Sequence, residues 1–268
     1  MKQVEVYQAL WAMEDYPSVE NTLSLTEGLF KIQDSGFDGV LQYIDDFEAS
    51  TISDTRQINN SPLKLALSCR GFNIEDIEKK LKYAAEHKAE FINVLVIGYF
   101  IRGQEALDYI RAIQKLGDQL GVKTYIETHR GTITQDLNCT LDYIEAIGDL
   151  RLTIDLSHYV LAGEIDETYD LVEESFDRLL QRTASIHVRV SNGQQIQLSM
   201  DTIIDEQLNN YKRWWTNGLN YASKTTDSET IPVVIELGPF PYQLKVKDNF
   251  DYDRYEEAVR WMEYFRTL

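Results

Sequence analysis

A strict alternation of two patterns constrains the fold more than any other feature of the sequence. Short runs of apolar or β-branched residues alternate eight times with longer amphipathic segments. This alternation predicts eight strands, each followed by a helix, and therefore a parallel sheet. The predicted strands are Val4–Ala12, Gly39–Ile44, Leu63–Ser68, Phe91–Ile97, Val122–Glu127, Leu152–Asp155, Ala184–Val190 and Val233–Leu237. The predicted helices are Val19–Ser35, Phe47–Asn59, Ile74–Lys88, Glu105–Leu120, Gln135–Ile147, Asp166–Leu180, Thr202–Tyr221 and Tyr252–Thr267.

The chain length selects between the two common architectures that are built from such units. Eight βα units in 268 residues have the number and size of a (β/α)8 TIM barrel, whereas an open doubly wound sheet seldom has eight evenly spaced units. No Pro/Gly-rich linker or low-complexity segment divides the chain. We therefore expect an α/β protein in which residues 1–268 form a single TIM-barrel domain.

The charge balance and the apolar runs argue against several classes of partner. The chain has 44 Asp and Glu against 26 Lys and Arg, and its net charge of −18 repels nucleic acids and anionic lipids. No run approaches the roughly 18 apolar residues of a membrane span, and the first residues lack the pattern of a signal peptide. We expect a cytoplasmic protein that binds neither nucleic acid nor membrane; homo-oligomer formation is left open.

Polar residues at the carboxyl ends of the strands are the candidate active-site residues, because the loops there carry the active site of a TIM barrel. The last four predicted strands end in the following residues: Glu127 and His129, Asp155 and His158, His187 and Arg189, and Glu236. Alternate residues of a strand point the same way, so Glu127 shares a face with His129, and His187 shares one with Arg189.

Four of these side chains would form a metal site if they converge on the barrel axis. Glu127, Asp155, His187 and Glu236 offer three carboxylates and one imidazole. Such ligands suit Mn²⁺, Mg²⁺ or Co²⁺ better than a sulfur-preferring ion, and Zn²⁺ also accepts them. The alternative is that the carboxylates are ordinary loop residues. We predict one divalent ion, with Mn²⁺ as the first choice.

The order and spacing of these residues resemble those of a known family, the xylose isomerase-like TIM barrels. The resemblance spans the whole chain and rests on the stretch KIQDSGFDGV at residues 31–40, then Glu127, Asp155-x-x-His158, His187 and Glu236. The family includes sugar isomerases, ketose 3-epimerases, hydroxypyruvate isomerases, inosose dehydratases and endonuclease IV. The last branch uses a histidine-rich trinuclear zinc site, which four histidines and a charge of −18 do not favour here.

The resemblance implies a role for most of the candidate residues. Glu127, Asp155, His187 and Glu236 would be the metal ligands. His158 and Arg189 would contact oxygen atoms of the substrate. In the epimerases of the family, the two ligand glutamates also move the proton, one on each face of the substrate; here these are Glu127 and Glu236.

Two further residues are candidate substrate contacts, each with a simpler alternative. Trp11, near the end of the first predicted strand, offers an apolar wall for a sugar ring, although core packing explains an aromatic residue there equally well. His129 offers a polar contact, and a surface ion pair is the alternative. The loops at 191–195 and 238–241 contain no Lys or Arg, which favours an unphosphorylated substrate.

The predicted function is that of a divalent-metal-dependent isomerase or epimerase of a sugar or related polyol, acting through an enediolate. A bound metal acidifies the proton next to a carbonyl group, and a carboxylate within reach serves as the base. A 1,2-hydride shift is the variant mechanism. The alternatives are a metal-dependent dehydratase or lyase with the same fold, and a barrel that only binds a sugar.

Overall fold

The computed structural model describes residues 2–166, 169–246 and 249–268, and in it eight parallel strands close into a barrel in sequence order. The barrel strands are β1 (Gln3–Ala9), β2 (Gly39–Tyr43), β3 (Lys64–Gly71), β4 (Ile92–Val96), β5 (Thr124–Glu127), β6 (Leu152–Ile154), β7 (Thr183–Val188) and β8 (Thr230–Ile235). The closing pair is β1 with β8, in which Tyr7 lies opposite Val234. The predicted (β/α)8 barrel is confirmed.

Within the described residues, nine α-helices follow or connect these strands. They are α1 (Leu25–Asp34), α2 (Ala49–Asn59), α3 (Ile74–Glu86), α4 (Gln104–Leu120), α5 (Leu137–Ala146), α6 (Leu156–Ala162), α7 (Tyr169–Leu180), α8 (Asp205–Thr225) and α9 (Arg254–Arg266). The predicted helix Asp166–Leu180 includes residues 167 and 168, which lie outside the described residues. None of the helices described is long and apolar enough to cross a membrane.

The first predicted strand and the first predicted helix are both shorter in the structure. Strand β1 ends at Ala9, and Leu10–Met13 form a 3₁₀ turn, because Trp11 folds over the barrel to donate a hydrogen bond to Glu236. Helix α1 begins only at Leu25, after a capping box in which Ser24 and Glu27 satisfy each other's backbone N–H groups. Local capping and one tertiary contact therefore override the longer periodic pattern.

Two short elements were not predicted. Helix α6 has only seven residues and begins directly after Asp155, whose side chain accepts a hydrogen bond from the backbone N–H of Ser157 as an N-cap. Its apolar sequence gives no clear period over so few residues. The second is an antiparallel pair between β8 and α9, made by β9 (Lys245–Val246) and β10 (Asn249–Phe250).

Two apolar clusters lie on the two faces of the barrel wall. Outward residues of the strands pack under the helices and form the larger cluster. Inward residues form the smaller one, in which Phe91 packs edge-on to Tyr7 at 5.4 Å and stacks with Tyr125 at 5.6 Å between ring centroids. These three rings fill the lower part of the barrel interior, and inward polar residues such as Glu127 and His187 lie above them, towards the carboxyl ends of the strands.

Candidate active site

Three buried side chains meet at the carboxyl ends of the strands and form what we call the carboxylate–imidazole group: Glu127, His187 and Glu236. Glu127 is the last residue of β5, His187 lies near the end of β7, and Glu236 directly follows β8. Each offers one ligand atom, and these atoms all lie within 4.8 Å of one another. The strand period of two turns all three side chains inwards.

The Nδ1 atom of His187 lies between the two carboxylates. It is 3.1 Å from Oε2 of Glu236 and 3.5 Å from Oε1 of Glu127. The other oxygen of Glu127, Oε2, is buried and has no hydrogen-bond partner among the described residues. A buried carboxylate oxygen without a donor is costly unless a cation or a ligand completes the site. Three oxygen and nitrogen donors at this spacing therefore fit a divalent metal ion.

His187 and Glu236 shift each other's pKa in opposite directions. Burial alone would lower the pKa of His187, but the carboxylates of Glu236 and Glu127 raise it well above its ordinary value. Burial would likewise raise the pKa of Glu236, yet His187 and Arg189 outweigh that effect and lower it to about 2. The two carboxylates thus favour positive charge on the imidazole that lies between them, the same electrostatic preference that a metal cation would satisfy.

Asp155, the fourth predicted ligand, lies beside this group rather than in it. Its Oδ1 accepts hydrogen bonds from the backbone N–H and the hydroxyl of Ser157, at 2.9 and 2.5 Å. Its Oδ2 accepts one from Nη2 of Arg189 at 2.7 Å. Both oxygens therefore have partners within the protein, and Asp155 is not among the residues whose ligand atoms all lie within 4.8 Å of one another. Its assignment as a ligand stays a prediction.

Arg189 is a buried cation that links the acids. Its Nη2 donates to Asp155 and also to Oε2 of Glu236, at 2.7 and 3.0 Å, and the residue is only 1% exposed. Its Nε and Nη1 atoms are buried and have no partner in the part of the chain that the structure describes. The guanidinium packs on the ring of Tyr242, 4.6 Å from the centroid. Two unused donors at a cavity wall are suited to the oxygen atoms of a ligand.

A cavity of about 380 Å³ opens above the carboxylate–imidazole group. Three of the four predicted substrate contacts line it, namely Trp11, His129 and Arg189. The indole N–H of Trp11 donates to Oε1 of Glu236 at 2.9 Å, so Trp11 also holds that carboxylate in place. Gly238 permits this arrangement, because a Cβ atom there would lie 2.1 Å from the indole ring.

His158, the fourth predicted contact, is not among the residues that line the cavity. Its ring packs on that of His129 at 3.8 Å between centroids, and its Nε2 lies 3.5 Å from Oδ2 of Asp155. Burial, and then the charges of His129 and Arg189, lower its pKa well below the ordinary value, so the ring is neutral. In this arrangement His158 supports its neighbours from behind the cavity wall.

Several residues of the site escaped the sequence analysis although strand period could have indicated them. On β3, Ser68 and Arg70 share the inward face with Ala66, and both line the cavity. On β4, the inward Asn93 places its Nδ2 atom 2.7 Å from Nε2 of His187. Tyr242, which lies in the connection after β8, had no such signal because no regular period governs a loop.

Comparison with known proteins gives likeness in structure and none in sequence. No protein-family model and no curated protein matches the chain. Among solved structures, a xylose isomerase-like TIM barrel protein from Mycobacterium smegmatis, in complex with magnesium, has a TM-score of 0.60 at 12% identity, covering 100% of this chain and 98% of its own. The chain shares the fold of the xylose isomerase-like TIM barrels.

Two other solved structures agree with this likeness. A probable 3-DHS dehydratase, AsbF, from Bacillus anthracis has a TM-score of 0.60 at 16% identity, covering 97% of this chain and 99% of its own. A sugar phosphate isomerase/epimerase from Parabacteroides distasonis has a TM-score of 0.58 at 12% identity, with 98% of both chains covered. The names of these two proteins indicate a probable dehydratase and an isomerase/epimerase, and both share the fold of this chain.

Proposed function

We propose that the protein is a metal-dependent isomerase or epimerase of a sugar or related polyol. Glu127, His187 and Glu236 would hold the divalent ion, with Mn²⁺ as the expected metal, and Asp155 would join them by exchanging its contact with Arg189 for the ion. The observation that carries the proposal is the buried carboxylate–imidazole group, with one unpartnered oxygen, at the base of the cavity.

The bound metal would supply Lewis-acid polarisation of adjacent carbonyl and hydroxyl oxygens, and thereby stabilise an enediolate. The chain's own residues would then move the proton. Glu127 has the oxygen without a hydrogen-bond donor, so it is the carboxylate that is free to accept a proton from carbon. Glu236, which is held by Trp11, His187 and Arg189, would give the intermediate a proton that it has first taken up from water, and its low pKa favours that release. Glu127 would pass the proton it took from carbon to water, so that both carboxylates return to their starting state. In the reverse direction the two roles exchange.

The remaining contacts would orient the substrate. Arg189 has two buried donors available for substrate oxygens, and Trp11 offers the face of its ring as well as holding Glu236. His129 lines the same cavity and rests on the neutral ring of His158. Fixed donors of this kind raise the rate by holding the reacting carbon near the base.

The test is a panel of ketoses, aldoses and inosose incubated with the Mn²⁺-loaded protein in D₂O. We expect an isomeric product that carries deuterium at the carbon next to the carbonyl group. Isomerisation without deuterium uptake would indicate the hydride shift instead of the enediolate route. Loss of water would indicate a dehydratase, and the absence of any product would favour a barrel that only binds its ligand; either result would contradict the proposal.

A further inference from the structure

A second feature of the cavity is a pair of cations at its opening, which we call the cationic rim: Arg70 and Arg130. Arg70 lies near the end of β3, and Arg130 follows β5. Both line the same cavity as Glu127 and Glu236, but they are much more accessible: the side chain of Arg70 is 52% exposed, whereas Glu127 is 2% exposed. The cavity therefore has an acidic, buried base and a basic, hydrated opening.

The protein itself neutralises little of the charge of the rim. In the part of the chain that the structure describes, the carboxylate paired with Arg70 is that of Asp45, 3.5 Å away and itself half-exposed, and this pair contributes little because water screens it. Among the described residues, no carboxylate lies within ion-pairing distance of Arg130; its guanidinium packs on the ring of Tyr242, 5.4 Å from the centroid. Two cations are thus available to a ligand that enters the cavity.

Tyr242 connects the rim to the base of the cavity. Its ring contacts Arg130 at 5.4 Å and the buried Arg189 at 4.6 Å, so the two guanidinium groups share one aromatic support. Arg189 brings two buried donors without partners to the same wall. All cations that line the cavity are arginines, whose planar forks match carboxylate and phosphate oxygens better than lysine does.

We propose that the substrate carries an anionic group, a carboxylate or a phosphate, at the end remote from the reacting carbon, and that Arg70 and Arg130 bind this group. The polyol part would then reach down towards Glu127 and Glu236. This proposal rests on the proposed function for the reacting end of the substrate. It also explains why arginines collect at one opening of a protein whose net charge of −18 otherwise repels anions.

The binding test needs neither metal nor turnover. The metal-free protein, kept in EDTA, is titrated calorimetrically with two matched pairs of probes: D-gluconate against D-glucitol, and D-glucose 6-phosphate against D-glucose. We expect at least one anion to bind about tenfold or more tightly than its neutral partner, since charge-assisted hydrogen bonds to arginine are strong. The preferred pair identifies the group as a carboxylate or a phosphate.

The variants R70M and R130M should each weaken binding of the preferred anion about tenfold and leave the neutral partner unaffected. R130K, which keeps the charge but not the planar fork, should fall between the wild type and R130M. Arg151, which lines a cavity at the other end of the barrel, provides the control: R151M should bind both probes as the wild type does.

Equal binding of anionic and neutral probes by the wild type, or no binding of either anion, would overturn the proposal. So would an anion preference that survives in the double variant R70M/R130M. The binding titration does not depend on proton transfer. Anion binding can therefore be found even if the deuterium experiment contradicts the proposed function, and anion binding can be absent even if deuterium is incorporated.

Discussion

The two ends of the barrel hold cavities of similar size and different chemistry. The cavity at the carboxyl ends of the strands measures about 380 Å³, and one at the amino ends, lined by Asp118, Lys123, Asp149, Arg151 and others, measures about 360 Å³. The charged residues that line the amino-end cavity are exposed or half-buried, whereas at the carboxyl ends Glu127, His187 and Arg189 are almost completely buried. Size therefore does not distinguish the two cavities, but a cluster of buried ionisable groups does, and such clusters are common at functional sites.

Buried glutamates at the two ends sharpen the comparison. Glu5, on β1 near the amino ends, is 7% exposed, but its carboxylate contacts Nζ of Lys64 at 2.5 Å and accepts a hydrogen bond from the hydroxyl of Tyr7. Both oxygens of Glu5 have a partner within the protein, and this residue is not among those that line the cavity at the carboxyl ends. Glu236 is buried to the same extent and instead faces a cavity with His187 and Arg189. Two glutamates with equal burial thus differ in their surroundings, and under the proposed function only Glu236 would take part in the reaction.

The largest expected effect separates these two glutamates. Glu236→Gln should lower turnover of any identified substrate on the order of 10³-fold or more, because the amide can neither ionise nor carry the proton. Glu5→Gln, the matched control, should leave turnover unchanged. The measurement is the steady-state rate of both variants with the same metal loading. Full activity in Glu236→Gln, or an equal loss in both variants, would remove the proposed distinction between the ends.

A smaller expected effect concerns the pH dependence of the free energy of unfolding. Glu257, in the first turn of α9, is buried, and this burial raises its pKa to about 7; its side chain accepts a hydrogen bond from the backbone N–H of Met200. A carboxyl whose pKa is raised on folding binds more protons in the folded state between its unfolded pKa and about 7. Stability from this group is therefore complete at low pH and is lost as pH rises through that interval.

We expect Glu257→Gln to remove this loss, which amounts to something on the order of 3 kcal/mol for a shift from about 4.5 to about 7. At pH 8 the variant should be more stable than the wild type, and at pH 4 the difference should vanish. Urea unfolding of both proteins across this pH range provides the measurement. A constant difference between the two, independent of pH, would show that Glu257 does not titrate in this interval.

The smallest effect tests the support beneath the carboxylate–imidazole group. Asn93 lies 2.7 Å from Nε2 of His187, and its Oδ1 accepts a hydrogen bond from the hydroxyl of Thr153 at 2.5 Å. A metal at Nδ1 requires a proton on Nε2, and Asn93 can accept that proton's hydrogen bond by turning its amide, because the hydroxyl of Thr153 can also accept.

Asn93→Leu should therefore weaken Mn²⁺ binding about 10- to 100-fold, as the loss of a group that orients a metal-binding histidine commonly does. Asn93→Asp keeps an acceptor at this position and should retain the affinity. Calorimetric titration with Mn²⁺ and the ¹⁵N chemical shifts of His187 provide the two readouts. Equal affinities for the Leu and Asp variants would show that the residue only fills space.

The sequence predicts the features that depend on local periodicity, and it does not predict contacts between distant residues. Alternating apolar and amphipathic segments determine the barrel, and strand period turns Glu127, His187 and Arg189 inwards, so these followed from local pattern. The contact between Asp155 and Arg189 could not follow from it, since an aspartate between strand and helix suits both metal ligation and helix capping. The Tyr242 contacts depend on a loop that no period describes.

The three aromatic rings of Tyr7, Phe91 and Tyr125 have a kinetic consequence. They occupy the barrel interior between its two ends. A molecule bound above them must leave by the opening through which it entered. Substrate and product would therefore use the same opening, and a second substrate molecule could bind only after the first product has dissociated. Product added at the start of a reaction should therefore act as a competitive inhibitor, because it cannot leave through the amino end of the barrel.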